Sequence, residues 1–272
     1  MLPKDSVFRD NLLRGKVAFI TGGSSGICLR IAERFAGQGA KVALLGRTQE
    51  KLERATAGIR EAGGDAIGFS ADVRDYAALS GALQKAHEQY GEIDILLCGA
   101  AGNFPAPVLG MSANGFKAVI DIDLLGTFNT CRAAYEHLRK PGASVIAISA
   151  THAFRPIPLQ AHVCAGKAGV DILIKTLAVE WGPKVRVNLI TAGYVRTELS
   201  HLYYGDEEGI AAVGATIPLG RMAEPGDIGD GCLLLASPLA RYISGANLAV
   251  HGGGERPAYL EASRGDVTKE KG

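Results

Sequence analysis

Short apolar runs alternate along the chain with longer stretches in which apolar residues recur three and four positions apart. Val17-Ala18-Phe19-Ile20 reads as a strand, and Ile27 to Phe35 as a helix whose other side carries Arg30, Glu33 and Arg34. Further strands are expected at Val42 to Leu45, Ala66 to Phe69, Ile93 to Cys98, Ser144 to Ile148, Val185 to Thr191 and Ala246 to Val250, with helical stretches between them. Strands apolar throughout are buried on both faces, as in parallel βαβ units with right-handed crossovers. The expected fold is α/β, a doubly wound parallel sheet with helices on both faces. No repeat or low-complexity linker divides residues 1–272, so a single domain is expected. Two segments stand outside the alternation: Tyr194 to Met222, with acidic Asp206-Glu207-Glu208, and the polar tail after Gly254. Residues 194–222 are expected to form a long loop near the strand ends, either a substrate lid or an ordinary surface excursion.

Composition narrows the function. The 36 glycines among 272 residues are nearly double the usual share of roughly 7%, which calls for a backbone role. Lys plus Arg is 29 against 28 Asp plus Glu, so net charge supports neither a nucleic-acid partner nor a membrane surface, and any anion site is local. The longest apolar or glycine run, Ile95 to Gly102, is eight residues, far short of the roughly 18 to 20 a spanning helix needs. Lys4, Asp5, Arg9 and Asp10 interrupt the start where a secretory signal would be apolar, and a cytosolic location is expected. The five cysteines are widely spaced, without a Cys-x-x-Cys pair or clustered histidines, so neither a disulfide framework nor a metal site is expected.

Between the first strand and the first helix lies Thr21-Gly22-Gly23-Ser24-Ser25-Gly26-Ile27. Glycine there permits positive φ and lets backbone N–H groups approach a pyrophosphate at the positive end of the helix dipole, the Rossmann arrangement. NAD-preferring folds place a carboxylate at the end of the second strand to hold the ribose 2′-hydroxyl. Here Gly46-Arg47-Thr48 occupies that place, and Arg47 would grip a 2′-phosphate. NADPH is therefore the expected cofactor; the alternative makes Arg47 a solvated helix-entry residue.

With these residues in view, the chain resembles the short-chain dehydrogenase/reductase family from about Leu12 to Gly254. The resemblance rests on the Thr21-Gly22 to Gly26 turn, Asp72-Val73, Ala100-Ala101-Gly102, Lys167 on a long helix, and Gly193 followed by Val195 and Thr197. It implies adenine contacts from Asp72 and Val73, a nicotinamide-ribose contact from Lys167 and a carboxamide contact from Thr197. The family's usual tyrosine, four residues before the lysine, is Val163 here, and none of the eight tyrosines stands four before any lysine. The usual serine is Ala150 and the usual asparagine is Asp123. Cys28 replaces the third glycine of the turn, Ala192 a proline, and His251 an aspartate.

Losing a positioned general acid costs on the order of 10² to 10⁴ in rate, so the three departures point to different chemistry. Within the family, the pattern is similar to the peroxisomal-type 2,4-dienoyl-CoA reductases, through Ala100 to Phe104, Asp121-Ile122-Asp123, Gly126 to Asn129, His162, and Leu177 to Gly182. That resemblance implies hydride delivery to a conjugated acyl-CoA thioester, with Asp123 and Lys167 polarising the water that donates the proton. It also implies that Asn103 and Phe104 orient the thioester and line the acyl channel, and that the chain forms a homotetramer. His162 either orients the water or is a satisfied core histidine; Arg155 either meets the CoA phosphates or is an exposed loop arginine. Two other activities stay open: a carbonyl or alcohol oxidoreductase using His162 or Tyr194 as its acid, and an inactive NADPH-binding sensor or scaffold. The final Lys269-Glu270-Lys271-Gly272 is no peroxisomal address.

Overall fold

Aliphatic runs with no polar face must be covered on both sides, and the computed structural model, which describes residues 10–255 and 257, meets that demand with a seven-stranded sheet. The strands are β1 (Val17–Thr21), β2 (Lys41–Gly46), β3 (Asp65–Ser70), β4 (Ile95–Cys98), β5 (Ala143–Ala150), β6 (Val185–Ala192) and β7 (Asn247–Val250). All pair in parallel, in the order β3-β2-β1-β4-β5-β6-β7. Every residue of β1 and β4 is buried. The seven predicted strands are all present, with ends shifted by up to two residues. Ile93 pairs outside β4, with Leu138. Asp94 turns its carboxylate to the Val17 N–H at 3.0 Å, Lys16 at 2.9 Å and Arg139 at 2.7 Å, tying down the lower edge of the sheet.

One face is covered by α1 (Gly26–Gly37), α2 (Gln49–Glu61) and α9 (Pro225–Ala236), which bury Ile31, Phe35, Leu52, Ile59 and Leu233. The other carries α3 (Tyr76–Tyr90), α5 (Gly126–Ala134) and α6 (Ala161–Trp181), with Leu79, Leu83, Cys131, Val170 and Ile174 in the core. The order in which strands are added reverses between β1 and β4, whose ends Thr21 and Cys98 are paired, opening a crevice above them. Among the described residues no helix is long and apolar enough to cross a membrane. The five cysteines form no disulfide, and four are buried.

The 194–222 segment is not the long loop expected. It holds α7 (Ser200–Tyr204) and α8 (Glu207–Ala215). Asp206 accepts a hydrogen bond from the Gly209 N–H at 3.0 Å, and Glu207 and Glu208 follow at the positive end of the helix, so the acidic patch is a helix start. Ile210, Ile217 and Met222 then bury one another beneath Tyr194 and Tyr204. Of the tail after Gly254, only Glu255 and Pro257 are among the described residues.

Candidate active site

A cleft of about 1340 Å³ opens above the C-terminal ends of the strands. Ser24, Ser25, Gly26 and Ile27 line one end of it, beneath Gly22. Gly22 has φ 73°, and a Cβ there would lie 3.0 Å from the Ala100 N, so glycine is required twice over. Thr21 sits behind the wall: its Oγ1 accepts from the Gly99 N–H at 3.1 Å and fixes the turn into Ala100 and Ala101. Cys28 fills the space beside Gly99, where a Cβ would come within 2.2 Å of its sulfur, so the Gly-to-Cys exchange in the turn is matched by a glycine across from it.

Arg47 and Thr48 also line the cleft, joined by Lys51 and Arg54 from α2. The i, i+4, i+7 spacing of the three cations could have revealed this cluster. Asp72 is clasped by Arg74 (2.7 and 3.0 Å), and that hydrogen bonding, aided by Arg47, holds its carboxyl below the ordinary range. Val73 is held from behind by a hydrogen bond from Asn129 to its carbonyl at 3.0 Å and by Gly126, where a Cβ would fall 2.5 Å from the valine. Gly193, Val195 and Thr197 complete this wall; a Cβ at Gly193 would meet His251 at 2.7 Å. The glycine floor, the free backbone edge at Gly22 and the cationic end together fit an extended, anionic dinucleotide.

Between α4 (Ala113–Ile120) and α5 the helix widens into a π turn at Asp121–Leu125. Such turns often mark functional sites, and this one presents Asp123 to the cleft. Asp123 is 1% exposed, and its Oδ1 accepts from the Gly102 N–H at 2.7 Å. Among the described residues Oδ2 has no hydrogen-bond partner; Lys167 Nζ lies 3.4 Å away, close enough for ionic attraction but not a formed hydrogen bond. Lys167, 8% exposed, donates to the Ile148 carbonyl at 3.1 Å. Gly166 lets the two elements meet, since a Cβ there would lie 3.4 Å from that of Asp123. Both charged groups thus face the cleft with bonding capacity to spare. Val163 lines the same cleft as plain apolar wall, and Ala150 offers no hydroxyl.

Asn103 lines the cleft, but Phe104, Arg155 and His162 do not. Phe104 packs on the His162 ring, centroids 4.5 Å apart. His162 is fully buried and, among the described residues, neither ring nitrogen has a partner, so it is not a satisfied core histidine. Arg155 is neither free nor simply exposed: it forms an ion pair with Glu255. Glu255 also takes a hydrogen bond from Tyr194, whose phenol is pushed up to about 12 by burial and then by that carboxylate. Sequence reasoning missed His152, which lines the cleft with its Nδ1 buried and unpartnered.

A crevice of this kind, with a charged pair at its floor, defines an oxidoreductase of the Rossmann type. Over residues 22–255 the sequence matches the family model described as enoyl-(acyl carrier protein) reductase. The peroxisomal 2,4-dienoyl-CoA reductase of Saccharomyces cerevisiae is 41% identical over 252 residues, covering 90% of this chain and 86% of the relative. That of Rattus norvegicus is 41% identical over 251 residues, covering 91% and 86%; both are named as producing (3E)-enoyl-CoA. Among solved structures, a dehydrogenase/reductase from Sinorhizobium meliloti superposes with a TM-score of 0.83 at 33% identity, covering 89% of this chain and 95% of that one. The chain belongs to the short-chain dehydrogenase/reductase family and is an oxidoreductase.

Proposed function

We propose that the chain reduces a conjugated 2,4-dienoyl or enoyl thioester of CoA at the expense of NADPH. The observation that carries this reading is the buried Asp123–Lys167 pair facing a cleft in which Val163 stands where a phenolic acid would be needed for a simple ketone. When bound, the dinucleotide supplies a hydride to the far end of the conjugated system. The extra electron pair spreads onto the thioester oxygen, so the proton is finally needed on carbon, and a tyrosine beside a carbonyl is unnecessary.

Asp123 Oδ2, with its unused acceptor capacity, and the Lys167 ammonium hold and polarise the water that gives this proton. Lys167 also binds the ribose, and its charge lowers the energy of the anionic intermediate in a site shielded from solvent. Arg47, with Lys51 and Arg54 beside it, holds the 2′-phosphate through charge-assisted bonds. Asn103 orients the thioester from the opposite wall, while Phe104 and His162 support that wall from behind. A proton placed on carbon 2 gives the 3-enoyl product, in line with the names of the relatives.

A carbonyl-reductase reading is less well supported, because His162 does not reach the cleft and the Tyr194 hydroxyl is committed to Glu255. For assembly we propose a homotetramer, supported by exposed apolar side chains at Phe116, Phe128, Ile172 and Val179. The compartment proposed is the cytosol, although the relatives are named as peroxisomal. The deciding experiment follows NADPH oxidation with 2,4-dienoyl-CoA and with a panel of ketones. The proposal requires turnover of the first; turnover of ketones alone refutes it.

A further inference from the structure

Beyond the end of β5, the short Thr151–Ala153 turn brings His152 to the cleft wall. Among the described residues it makes no hydrogen bond, and its Nδ1 is buried without a partner. Nδ1 is enclosed and out of a ligand's reach, but Nε2 is not enclosed and likewise has no partner among the described residues, so it is the ring nitrogen open to a ligand that supplies the bond. On the strand beside it, Ser149 gives its hydroxyl hydrogen to Asp171, and Ala150 has no hydroxyl.

The charged groups around the ring are Lys167 on α6, Asp123 on the π turn, and Glu255. Burial first, and Lys167 second, outweigh the two carboxylates and hold the imidazole below its ordinary pKa of 6.5. It is therefore neutral at neutral pH, with one N–H and little tendency to release it. A neutral imidazole beside a cation suits the stabilisation of developing negative charge on oxygen, since it donates a hydrogen bond without losing its proton.

We propose that His152 is a further catalytic residue, whose ring N–H hydrogen-bonds the thioester oxygen of the bound acyl-CoA as negative charge gathers there. No covalent bond to His152 forms, its proton stays on nitrogen, and the proton that completes the reduction still comes by way of Asp123 and Lys167. The assignment rests on the thioester-reductase reading above.

The test compares wild type, His152→Phe and His152→Gln for kcat and KM with 2,4-dienoyl-CoA, NADPH affinity and melting temperature. Phenylalanine keeps a flat ring and removes the donor; glutamine restores an N–H. Loss of one oxyanion donor lowers kcat by roughly 10²- to 10³-fold. The expected result is a fall of about that size in His152→Phe, with KM and NADPH affinity within about threefold of wild type and at least a tenfold recovery of kcat in His152→Gln. If His152→Phe does not fold, His152→Leu replaces it as the donorless variant: a kcat lowered roughly 10²- to 10³-fold and recovered at least tenfold in His152→Gln supports the role, and a kcat equal to wild type in His152→Leu overturns it. An active wild type with unchanged kcat in His152→Phe, or with glutamine no better than phenylalanine, overturns the assignment to His152 alone. A wild type inert toward dienoyl-CoA overturns both it and the reading beneath it.

Discussion

Replacing Asp123 with asparagine isolates the charge at the centre of the site. The amide has nearly the same shape, and its oxygen can still accept from the Gly102 N–H, now at 2.7 Å. What disappears is a negative charge 3.4 Å from the Lys167 ammonium, with both side chains almost wholly buried. At an effective dielectric constant of about 20 that attraction is roughly 5 kcal/mol, largely offset in the intact protein by desolvation of both ions. Removing one partner strands the other, and such a loss typically costs about 3–5 kcal/mol; with the Gly102 bond retained, about 3 kcal/mol is expected. For a chain of this size that corresponds to a melting temperature roughly 6–12 °C lower. The chemical effect is larger, because loss of the proton-delivery group costs on the order of 10²- to 10⁴-fold in kcat. Stopped-flow NADPH oxidation with 2,4-dienoyl-CoA measures the second effect and thermal unfolding the first. NADPH binding, read from nicotinamide fluorescence, should change by less than about threefold, since Asp123 is assigned no cofactor contact. An Asp123→Asn protein that turns over at the wild-type rate would refute the argument, whatever its stability.

Three other outcomes follow from the same geometry. Arg47→Ala should reduce the NADPH-over-NADH preference about 10-fold or more, the equivalent of one charge-assisted bond of roughly 1.5–3 kcal/mol, with Lys51 and Arg54 retaining the remainder; an unchanged ratio of the two kcat/KM values would remove Arg47 from the phosphate site. Gly22→Ala forces a methyl group to 3.0 Å from the Ala100 nitrogen at φ 73°, so calorimetry should find dinucleotide affinity down by about tenfold or more; retained affinity would contradict the cradle. Burial holds His152 and His137 below the ordinary imidazole value of 6.5, so the unfolded chain takes up protons first as the pH falls. The stability tied to their neutral forms is complete above that value and is lost as the pH drops through the folded-state pKa values. The melting temperature should therefore decline below about pH 6.5, and His152→Gln should shallow the decline; an unaltered slope would contradict the assignment.

The fold was legible because the central strands β1 and β4, buried on both faces, leave continuous apolar runs, while the partly exposed edge strands β3 and β7 still carry short apolar stretches in the same alternation with helices. The 194–222 segment was misread because α7 spans five residues and α8 nine, with Gly209 and Gly214 inside α8, too short for a clear helical period, and because two of the three apolar residues that bury one another, Ile217 and Met222, lie outside both helices. At the site, the turn from Gly22 to Ile27 and the Arg47 position follow from local rules, whereas the meeting of Asp123 with Lys167 depends on a π turn and on Gly166, neither of which leaves a local signature. Arg155 could not be paired from sequence, because Glu255 lies 100 residues further along the chain. His152 was overlooked for a related reason: exposure to a cleft and lack of a partner are three-dimensional properties.

If a carboxylate and an ammonium deliver a solvent-derived proton to carbon, the wild-type reaction with NADPH and 2,4-dienoyl-CoA in deuterated water leaves its record in the NMR spectrum of the product. The expected outcome is consumption of NADPH and a 3-enoyl thioester carrying one deuterium at carbon 2 and none at carbon 5. No reaction with the dienoyl thioester, alongside reduction of a ketone to an alcohol under the same conditions, would contradict it.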